Sequence, residues 1–299
     1  MRNKLLILFL LSVLMTGAAY QTDPVIVAAG DIAACGLPFD EKTADLLDNI
    51  DGAVLALGDT VYPDGTADQF AQCYDPTWGR HKKRTYPTLG NHEYNTKGAT
   101  GYFDYFGARA RPEGYSYYSF DIGTWHIISL NSNIDARPVG NQGMWLRADL
   151  EAHKVKCTLV FFHHPLFSSR PLPDGNLRMK QFWEVLYEYG VDVILNGDVH
   201  YYERMMPQTP DGIADPEHGI RQFIVGTGGA SLAPNNGASA APTSEVRSNA
   251  THGVLKMILH PDGYSWQFIP IEGGTFRDSG ISSCVDPRPT PEVTVESTP

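Results

Sequence analysis

Basic residues are scarce in this 299-residue chain, which has 23 Lys and Arg against 34 Asp and Glu and a formal net charge of −11 at pH 7. Their one dense cluster is RHKKR at 80–84. Because a nucleic-acid-binding surface needs basic groups to neutralise phosphates, this scarcity argues against nucleic acid as a partner. We interpret the cluster as a solvated surface turn, with attraction of anionic substrates as the alternative.

Long apolar runs are also lacking, apart from one at the amino terminus. Arg2 and Lys4 precede an apolar run from Leu5 to about Met15, and small residues follow at 17–19. This pattern is typical of a secretory signal peptide, here over 1–19, with a retained membrane anchor as the alternative. Since no second run is long enough to span a bilayer, we expect a secreted or periplasmic protein without stable membrane association after cleavage.

Cysteine is sparse, and its four occurrences contain no C-x-x-C pair. A cysteine-based zinc site is therefore disfavoured. In an exported chain four cysteines indicate two disulfides, for which three connectivities are possible. Cys35 and Cys73 each follow an acidic strand-end site, so we favour Cys35 with Cys73 and Cys157 with Cys284, and four free thiols remain the alternative.

The rest of the chain shows no internal repeat and no compositional boundary, so we predict one domain over 20–285. Four continuous apolar runs predict fully buried strands at 24–31, 52–59, 158–164 and 191–198. Helical patterns lie at 41–50, 142–154 and 177–190, and further stretches have hairpin-like spacing. The class is α/β, with two sheets in the core and helices outside. Residues 286–299 are rich in Pro, Thr and Glu, which predicts a disordered tail.

The predicted strand ends carry residue types that bind metals or transfer protons. They are Asp31, Asp59 with Tyr62, Asn91 with His92 and Glu93, His163 with His164, and Asp198 with His200. In open α/β sheets, ligands bind in the crevice at the carboxyl ends of the strands. Clustered carboxylates repel one another unless cations join them, and a mixed oxygen and nitrogen donor set suits Fe, Mn or Zn. The sequence therefore predicts a metallohydrolase with two metal ions.

Five blocks in chain order, AAGDIAAC, ALGDTVY, TLGNHEY, VFFHHP and LNGDVHYYER, resemble the signature blocks of the calcineurin-like metallophosphoesterases. The Gly-Asp-x-x-Tyr form of the second block is similar to the purple acid phosphatase branch. The likeness spans about residues 25–271. It implies a four-layer αββα sandwich of two mixed β-sheets that hydrolyses phosphate esters with a metal-bridging hydroxide. It also implies two metal ions per chain, Fe with Zn, Mn or Fe, with Mn or Mg as the alternative at the second site.

The resemblance implies a role for each matched residue. It implies that the first metal is bound by Asp31, Tyr62 and His200. Asp59 would bridge both metals, and the second would be bound by Asn91 and His163. His92 would stand beside the bound phosphate and protonate the leaving group or stabilise charge, which is worth roughly 10²- to 10⁴-fold. Asn91, His92 and His164 are the candidate substrate contacts, with a structural role as the alternative for His164.

Asp198 departs from the family pattern, which reads Gly-His-x-His where this chain has Gly-Asp-Val-His at 197–200. A carboxylate thus replaces a neutral imidazole on the second metal. Its anionic oxygen makes the site harder and weakens the Lewis acidity of the ion. We hypothesise that the second site is retained, with lower affinity for zinc and more tolerance for Mn²⁺ or Mg²⁺.

The sequence therefore predicts an exported, metal-dependent phosphatase that acts on small-molecule phosphomonoesters. One alternative is a phosphate- or metal-binding protein whose catalysis is weak or lost because of Asp198. Another is a phosphodiesterase, although Ala33 stands where nucleotide-hydrolysing branches more often have a histidine. We expect loops such as 133–141, 168–176 and 231–250 to select the leaving group. The pattern leaves the substrate, metal pair, pH optimum and oligomeric state open.

Overall fold

The structure, a computed structural model, describes residues 22–172, 177–234 and 237–285. The predicted signal peptide (1–19) and the predicted tail (286–299) lie outside the described residues. In chain order the strands are β1 (Val25–Ala29), β2 (Ala33–Ala34), β3 (Ala53–Leu57), β4 (Val61–Tyr62), β5 (Thr85–Thr88), β6 (Tyr118–Ile122), β7 (Trp125–Ser129), β8 (Cys157–Phe161), β9 (Val193–Asn196), β10 (Tyr202–Met205), β11 (Arg221–Val225), β12 (Ser244–Ser248), β13 (Gly253–His260), β14 (Gly263–Pro270) and β15 (Ser279–Ser283).

Most of these strands belong to two mixed sheets. The first has the order β15-β14-β13-β1-β3-β5, and the second has the order β12-β10-β11-β9-β8-β7-β6. In the first sheet β1, β3 and the edge strand β5 run parallel, as do β7, β8, β9 and β11 in the second. The remaining strands pair antiparallel towards the edges. The parallel strands therefore bring their carboxyl ends together.

The helices are α1 (Phe39–Asp48), α2 (Ala67–Gln69), α3 (Thr100–Phe106), α4 (Asn141–Ala152) and α5 (Lys180–Glu188). Helices α1, α4 and α5 correspond to the three helical patterns of the sequence. Helix α1 starts at Phe39, before the predicted position 41, and has Asp40 and Glu41 in its first turn, where carboxylates favour the helix dipole. No helix among the described residues is both long and apolar enough to cross a membrane.

Alternate residues of the buried strands face different layers of the core. Leu159 of β8 belongs to the same buried cluster as Leu55 of the first sheet, whereas its neighbour Val160 packs with Leu146 of α4 and Trp183 of α5. Successive side chains of a strand point to opposite faces, so both faces of the second sheet are covered. This explains why the strand sequences are continuous apolar runs. The predicted α/β class and the four-layer sandwich are thereby confirmed.

Two disulfides close loops of very different length, and they have the pairing favoured from the sequence. Cys35 pairs with Cys73 over a sequence separation of 38, and Cys157 pairs with Cys284 over a separation of 127. Beside the second bridge, the Asp192 carboxylate accepts hydrogen bonds from the backbone N–H groups of Thr158 (2.7 Å) and Val285 (2.6 Å). This bridge therefore ties the carboxyl end of the described chain to β8.

Removal of the bridge that closes the longer loop should destabilise the fold more, because the entropy of loop closure rises with the logarithm of loop length. We expect the double replacement Cys157→Ser/Cys284→Ser to lower the free energy of unfolding by about 5 kcal/mol, and Cys35→Ser/Cys73→Ser by about 4 kcal/mol, because a longer loop gains more entropy when the unfolded chain is released. Urea denaturation of the metal-free proteins measures both. A smaller loss at Cys157 and Cys284 than at Cys35 and Cys73 would contradict the loop-length argument.

Candidate metal centre

Three predicted ligands meet where the strands of both sheets end. Asp31 follows β1, Asp59 follows β3 and His163 follows β8, and all three are buried. One ligand atom from each lies within 4.8 Å of the others. The sheets thus bring His163 close to two acids that lie more than 100 residues before it in the sequence.

The Tyr62 hydroxyl is the centre of the first predicted ligand set. It lies 2.8 Å from Asp31 Oδ1, 3.0 Å from Asp59 Oδ2 and 3.1 Å from His200 Nε2. Strands β2 and β4 pair in parallel, with Ala34 opposite Tyr62, and so hold the two strand-end loops side by side. All four side chains predicted to surround the first metal are therefore gathered around one hydroxyl.

Asp59 also faces the second predicted ligand set. Its Oδ2 atom is 3.2 Å from His163 Nε2, and Asp198 Oδ1 is 3.7 Å from the same nitrogen. One carboxylate oxygen thus stands between the Tyr62 group and the His163 group, where a bridging ligand has to be. Asn91 is placed differently: it is exposed at the start of the turn His92–Asn95, and its side chain makes no hydrogen bond with any described residue.

The two histidines are oriented as metal ligands usually are. His163 Nδ1 donates to the Leu57 carbonyl (2.8 Å), and His200 Nδ1 donates to the Ser231 carbonyl (2.8 Å). Because a carbonyl can only accept, Nδ1 carries a proton, and Nε2 is the atom that faces the carboxylates and is placed to bind a cation. His163 Nε2 is buried and makes no hydrogen bond among the described residues. These residues therefore fit metal ions, which would satisfy that nitrogen.

The pKa values of the clustered acids and histidines also indicate that this site favours bound cations. Burial raises the pKa of the Asp31 carboxyl, and it does so at Asp198 as well. Burial opposes ionisation of Asp59 too, but His163 and then His92 outweigh it and hold the Asp59 pKa below its usual range. Burial lowers the pKa of His163, but Asp59 and then Asp31 raise it well above its ordinary value. Positive charge between these acids removes the conflict.

The backbone adopts an uncommon conformation at the same residues. Five non-glycine residues of the described chain have a positive φ, and four of them are candidate ligands: Asp31 (58°), Asp59 (47°), Asp198 (74°) and His200 (52°). Such conformations cost about 1–3 kcal/mol each and concentrate at functional sites. Close packing adds a further constraint, since a Cβ atom on Gly90 would lie only 2.1 Å from Asp59 Oδ1. The geometry of Asp59 is thus held against a local energetic cost.

Glu93 is a structural residue of the site whose role the sequence did not reveal. Its Oε1 accepts hydrogen bonds from the N–H (2.7 Å) and hydroxyl (2.8 Å) of Thr60, and its Oε2 accepts from the N–H groups of Gly90 (2.7 Å) and Asp59 (3.1 Å). From the sequence, Glu93 was only one of the strand-end residues of a type that binds metals or transfers protons. Glu93 is instead fully buried and joins the loop after β3 to the loop after β5.

His92 is oriented by the backbone at Pro63. Its Nδ1 donates to the Pro63 carbonyl (2.6 Å), and its own N–H donates to Asp59 Oδ1 (2.8 Å). Its Nε2 lies 3.9 Å from Asp59 Oδ2, and its ring lies 4.3 Å from the Tyr62 ring. With 29% of its side chain exposed, His92 is at the border between the cluster and the crevice.

His164 is more deeply placed than His92. Its side chain shares a hydrogen bond of 2.7 Å with the Ser132 hydroxyl, which also accepts from the His164 N–H at 3.2 Å. Burial, and next the neighbouring His163, lowers the pKa of His164 to about 3, so its imidazole is neutral near pH 7. His164 and Ser132 connect the loops that follow β8 and β7, and a substrate contact of His164 stays a prediction.

A family model for calcineurin-like phosphoesterases matches residues 11–202, which include every candidate ligand. The chain belongs to the calcineurin-like phosphoesterase family. Among curated proteins, Purple acid phosphatase 18 of Arabidopsis thaliana is 29% identical over 221 residues, which are 67% of this chain and 48% of that protein. Purple acid phosphatase 22 of the same plant is 34% identical over 150 residues, 48% of this chain and 34% of the relative. This calcineurin-like chain is thus similar to the purple acid phosphatase branch and spans less than half the length of these relatives.

Solved structures show the same fold. Purple acid phosphatase PPD1 from yellow lupin (Lupinus luteus) seeds has a TM-score of 0.67 at 19% identity, over 88% of this chain and 54% of that one. GAP50, described as the anchor in the inner membrane complex of Plasmodium, has a TM-score of 0.66 at 12% identity, over 91% of both chains. At these identities the likeness concerns the phosphoesterase fold alone.

Proposed function

We propose that this calcineurin-like protein is an exported phosphatase that uses two metal ions to hydrolyse phosphomonoesters of small molecules. One observation carries the proposal: Asp59 Oδ2 lies 3.0 Å from the Tyr62 hydroxyl and 3.2 Å from His163 Nε2. Each of these partners belongs to a separate donor group, so one carboxylate can serve two ions. Family membership supports phosphate-ester chemistry for such a pair.

The donor set distributes itself between two positions. One ion would be held by Asp59 together with Asp31, Tyr62 and His200. The shell of the other ion would be completed by His163, Asn91 and Asp198. These donors suit Fe with Zn, Mn or Fe, and Mn or Mg is the alternative at the second position. When bound, the two ions supply positive charge to the phosphoryl oxygens and lower the pKa of a coordinated water.

His92 would act on the leaving group. The hydrogen bond from Nδ1 to the Pro63 carbonyl fixes the ring and leaves Nε2, which is 3.9 Å from Asp59 Oδ2, without a hydrogen bond among the described residues. From there, protonated Nε2 would donate its proton to the departing alkoxide oxygen, whose protonation makes it a better leaving group. Export of the protein is supported by its two disulfides, which persist in oxidising compartments.

The direct test is hydrolysis of p-nitrophenyl phosphate by the purified protein. We expect turnover after loading with iron and zinc or iron and manganese, loss of turnover with a chelator, and two equivalents of metal per chain by elemental analysis. A visible absorption band would identify ferric iron bound to tyrosinate. Absence of hydrolysis with each metal pair across the acidic and neutral pH range would contradict the proposal. Hydrolysis of bis(p-nitrophenyl) phosphate alone would favour the phosphodiesterase alternative.

A second candidate is a phosphate- or metal-binding protein without turnover. Asp198 favours it, because a carboxylate near His163 reduces the Lewis acidity of an ion bound there. The fold is also that of GAP50, whose description is that of an anchor. The orientation of His92 towards the cluster argues against this candidate, because a binding protein has no use for a proton donor at the leaving group.

Asp198→His tests how far this residue limits the site. Histidine is tolerated at positive φ, as His200 illustrates, and its longer side chain would reach farther towards the ion than Asp198 Oδ1, which is 3.7 Å from His163 Nε2. We expect zinc affinity at the second position to rise by roughly tenfold, with higher turnover. Competition with a chromogenic chelator measures the affinity, and Asp262→His, at an exposed position, is the control. Unchanged affinity and an unchanged or lower rate at full loading would contradict the hypothesis.

A further inference from the structure

A groove leads away from the metal centre. Its inner cavity, of about 460 Å³, is lined by Asp198 and His200, and its outer cavity, of about 390 Å³, is lined by Tyr201, Arg247 and Asn249. The two cavities share four lining residues, Arg170, Pro171, Ala233 and Pro234, so they form one continuous space. The groove therefore extends from two predicted metal ligands to side chains of strand β12 and of the loops around it.

The outer cavity has positive charge in a strongly acidic chain. Arg170 and Arg247 line it, and none of the described residues that line it is acidic. Arg247 donates one hydrogen bond to the Ala238 carbonyl (2.8 Å), which leaves its other donors available. The Arg170 guanidinium makes no hydrogen bond or ion pair with the described residues. Arg80, by contrast, pairs with Glu41, Asp45 and Asp48 on the surface. Two guanidiniums without carboxylate partners among the described residues, in one concave space, are suited to an anionic ligand.

Hydrogen bonds connect the wall of the groove to the metal centre. The Ala233 N–H donates to the His200 carbonyl (2.9 Å), and Asn249 Nδ2 donates to the Ala233 carbonyl (2.8 Å). Tyr201 directly follows His200, and its hydroxyl hydrogen-bonds to Ser168 at 2.7 Å. The position of the outer cavity relative to His200 is thus fixed by the backbone. The inner cavity meets the metal centre at Asp198 and His200, so a leaving group that extends past these two residues would enter this space.

We propose that the groove binds a second phosphate carried by the leaving group, held by Arg170 and Arg247. The preferred substrates would then be small phosphomonoesters that bear a second phosphate group, with Pro171, Tyr201 and Pro234 in contact with the part between the two anions. Guanidinium binds phosphate through paired hydrogen bonds, which is why two free arginines select this group. This inference rests on the proposed function for the placement of the reacting phosphate.

Two matched aryl phosphates, which differ only in the presence of a second anionic group, test what that group contributes to kcat/KM. One is 4-methylphenyl phosphate, and the other is 4-(phosphonomethyl)phenyl phosphate, whose C–P bond is not hydrolysed. We expect kcat/KM to be at least about tenfold higher for the second compound, and this ratio to fall about tenfold in Arg170→Gln and in Arg247→Gln. Arg111→Gln, an exposed arginine outside the groove, removes the same charge and should leave the ratio unchanged. Ratios taken within each variant cancel differences in loading.

Binding provides a readout that needs no turnover. Calorimetry compares p-xylylene bisphosphonate with 4-methylbenzylphosphonate on the metal-loaded protein and on both variants. Arg-dependent preference for the bisphosphonate without any hydrolysis would uphold the groove and contradict the proposed phosphatase. Hydrolysis of both aryl phosphates with a ratio that neither substitution changes would uphold the phosphatase and overturn the groove. The absence of both hydrolysis and preferential binding would overturn the groove and the proposed phosphatase together. Arg247 is exposed, so its replacement leaves the core intact.

Discussion

Asp59→Asn is expected to lower both the metal content and kcat/KM for p-nitrophenyl phosphate by at least roughly a hundredfold, since loss of even an outer partner of a metal ligand costs 10- to 100-fold. Both oxygens of Asp59 are in use. Oδ2 stands between Tyr62 and His163, and Oδ1 accepts the His92 N–H at 2.8 Å. An asparagine has one oxygen and one amide nitrogen that cannot bind a cation. It therefore has to give up either the bridge or the contact that positions His92.

The asparagine variant removes the carboxylate charge of residue 59 without disturbing its backbone conformation. Asp59 has a φ of 47°, a conformation that asparagine also accepts, so the variant should fold. Elemental analysis of the dialysed protein measures bound metal, and thermal unfolding of the metal-free form checks the fold. Asp68→Asn, at an exposed position in the first turn of α2, is the matched control. Two equivalents of metal in Asp59→Asn would contradict the bridging role.

The positions of the strand-end acids could be predicted because the residues directly before them in the sequence identify the strands. Asp31 and Asp59 each end a continuous apolar run, and such runs are buried parallel strands whose carboxyl ends share one edge. Once the strands are assigned, the topology alone brings the acids together. The helices could also be predicted from local sequence, because the side of a helix that packs on a sheet has apolar residues at helical spacing.

Contacts that depend on distant loops could not be predicted in this way. Glu93 binds N–H groups at Asp59 and Thr60, more than 30 residues before it, and no local pattern encodes that pairing. The same holds for Arg170 and Arg247, which line one cavity although 76 residues lie between them. The sequence predicted that loops such as 168–176 and 231–250 select the leaving group, but the second segment contains strand β12, which carries Arg247. Only the fold shows which side chains of these segments line the same space.

The proposed groove gives Asp198 a meaning beyond the second metal. Asp198 lines the inner cavity, Arg170 lines both cavities and Arg247 lines the outer one, so positive charge predominates away from Asp198. An anionic leaving group would be repelled by Asp198 and attracted by the two arginines. A cation bound at Asp198 would remove the repulsion and would thereby link metal loading to the choice of leaving group.

His92→Asn should separate proton donation from metal binding. We expect kcat for an alkyl phosphate such as glycerol 2-phosphate to fall by roughly 10²- to 10⁴-fold, because a poor leaving group depends on protonation of its oxygen. p-Nitrophenyl phosphate has a good leaving group, so its kcat should fall much less. His92 is not among the predicted metal ligands, and the metal content should stay at the wild-type value.

The comparison of leaving groups decides between two roles of His92. If His92 only stabilised charge on the transferred phosphoryl group, both substrates would slow by the same factor, because that group is common to both. His260→Asn, at a half-buried histidine that pairs with Asp23 at the end of β13, is the control and should leave both rates unchanged. The replacement at His92 also removes the imidazole contact with the Pro63 carbonyl, so thermal unfolding with metal bound has to match the wild-type protein. Equal slowing of the two substrates would contradict proton donation by Nε2. Loss of metal would show that the His92 ring instead holds the predicted ligand Tyr62 in place.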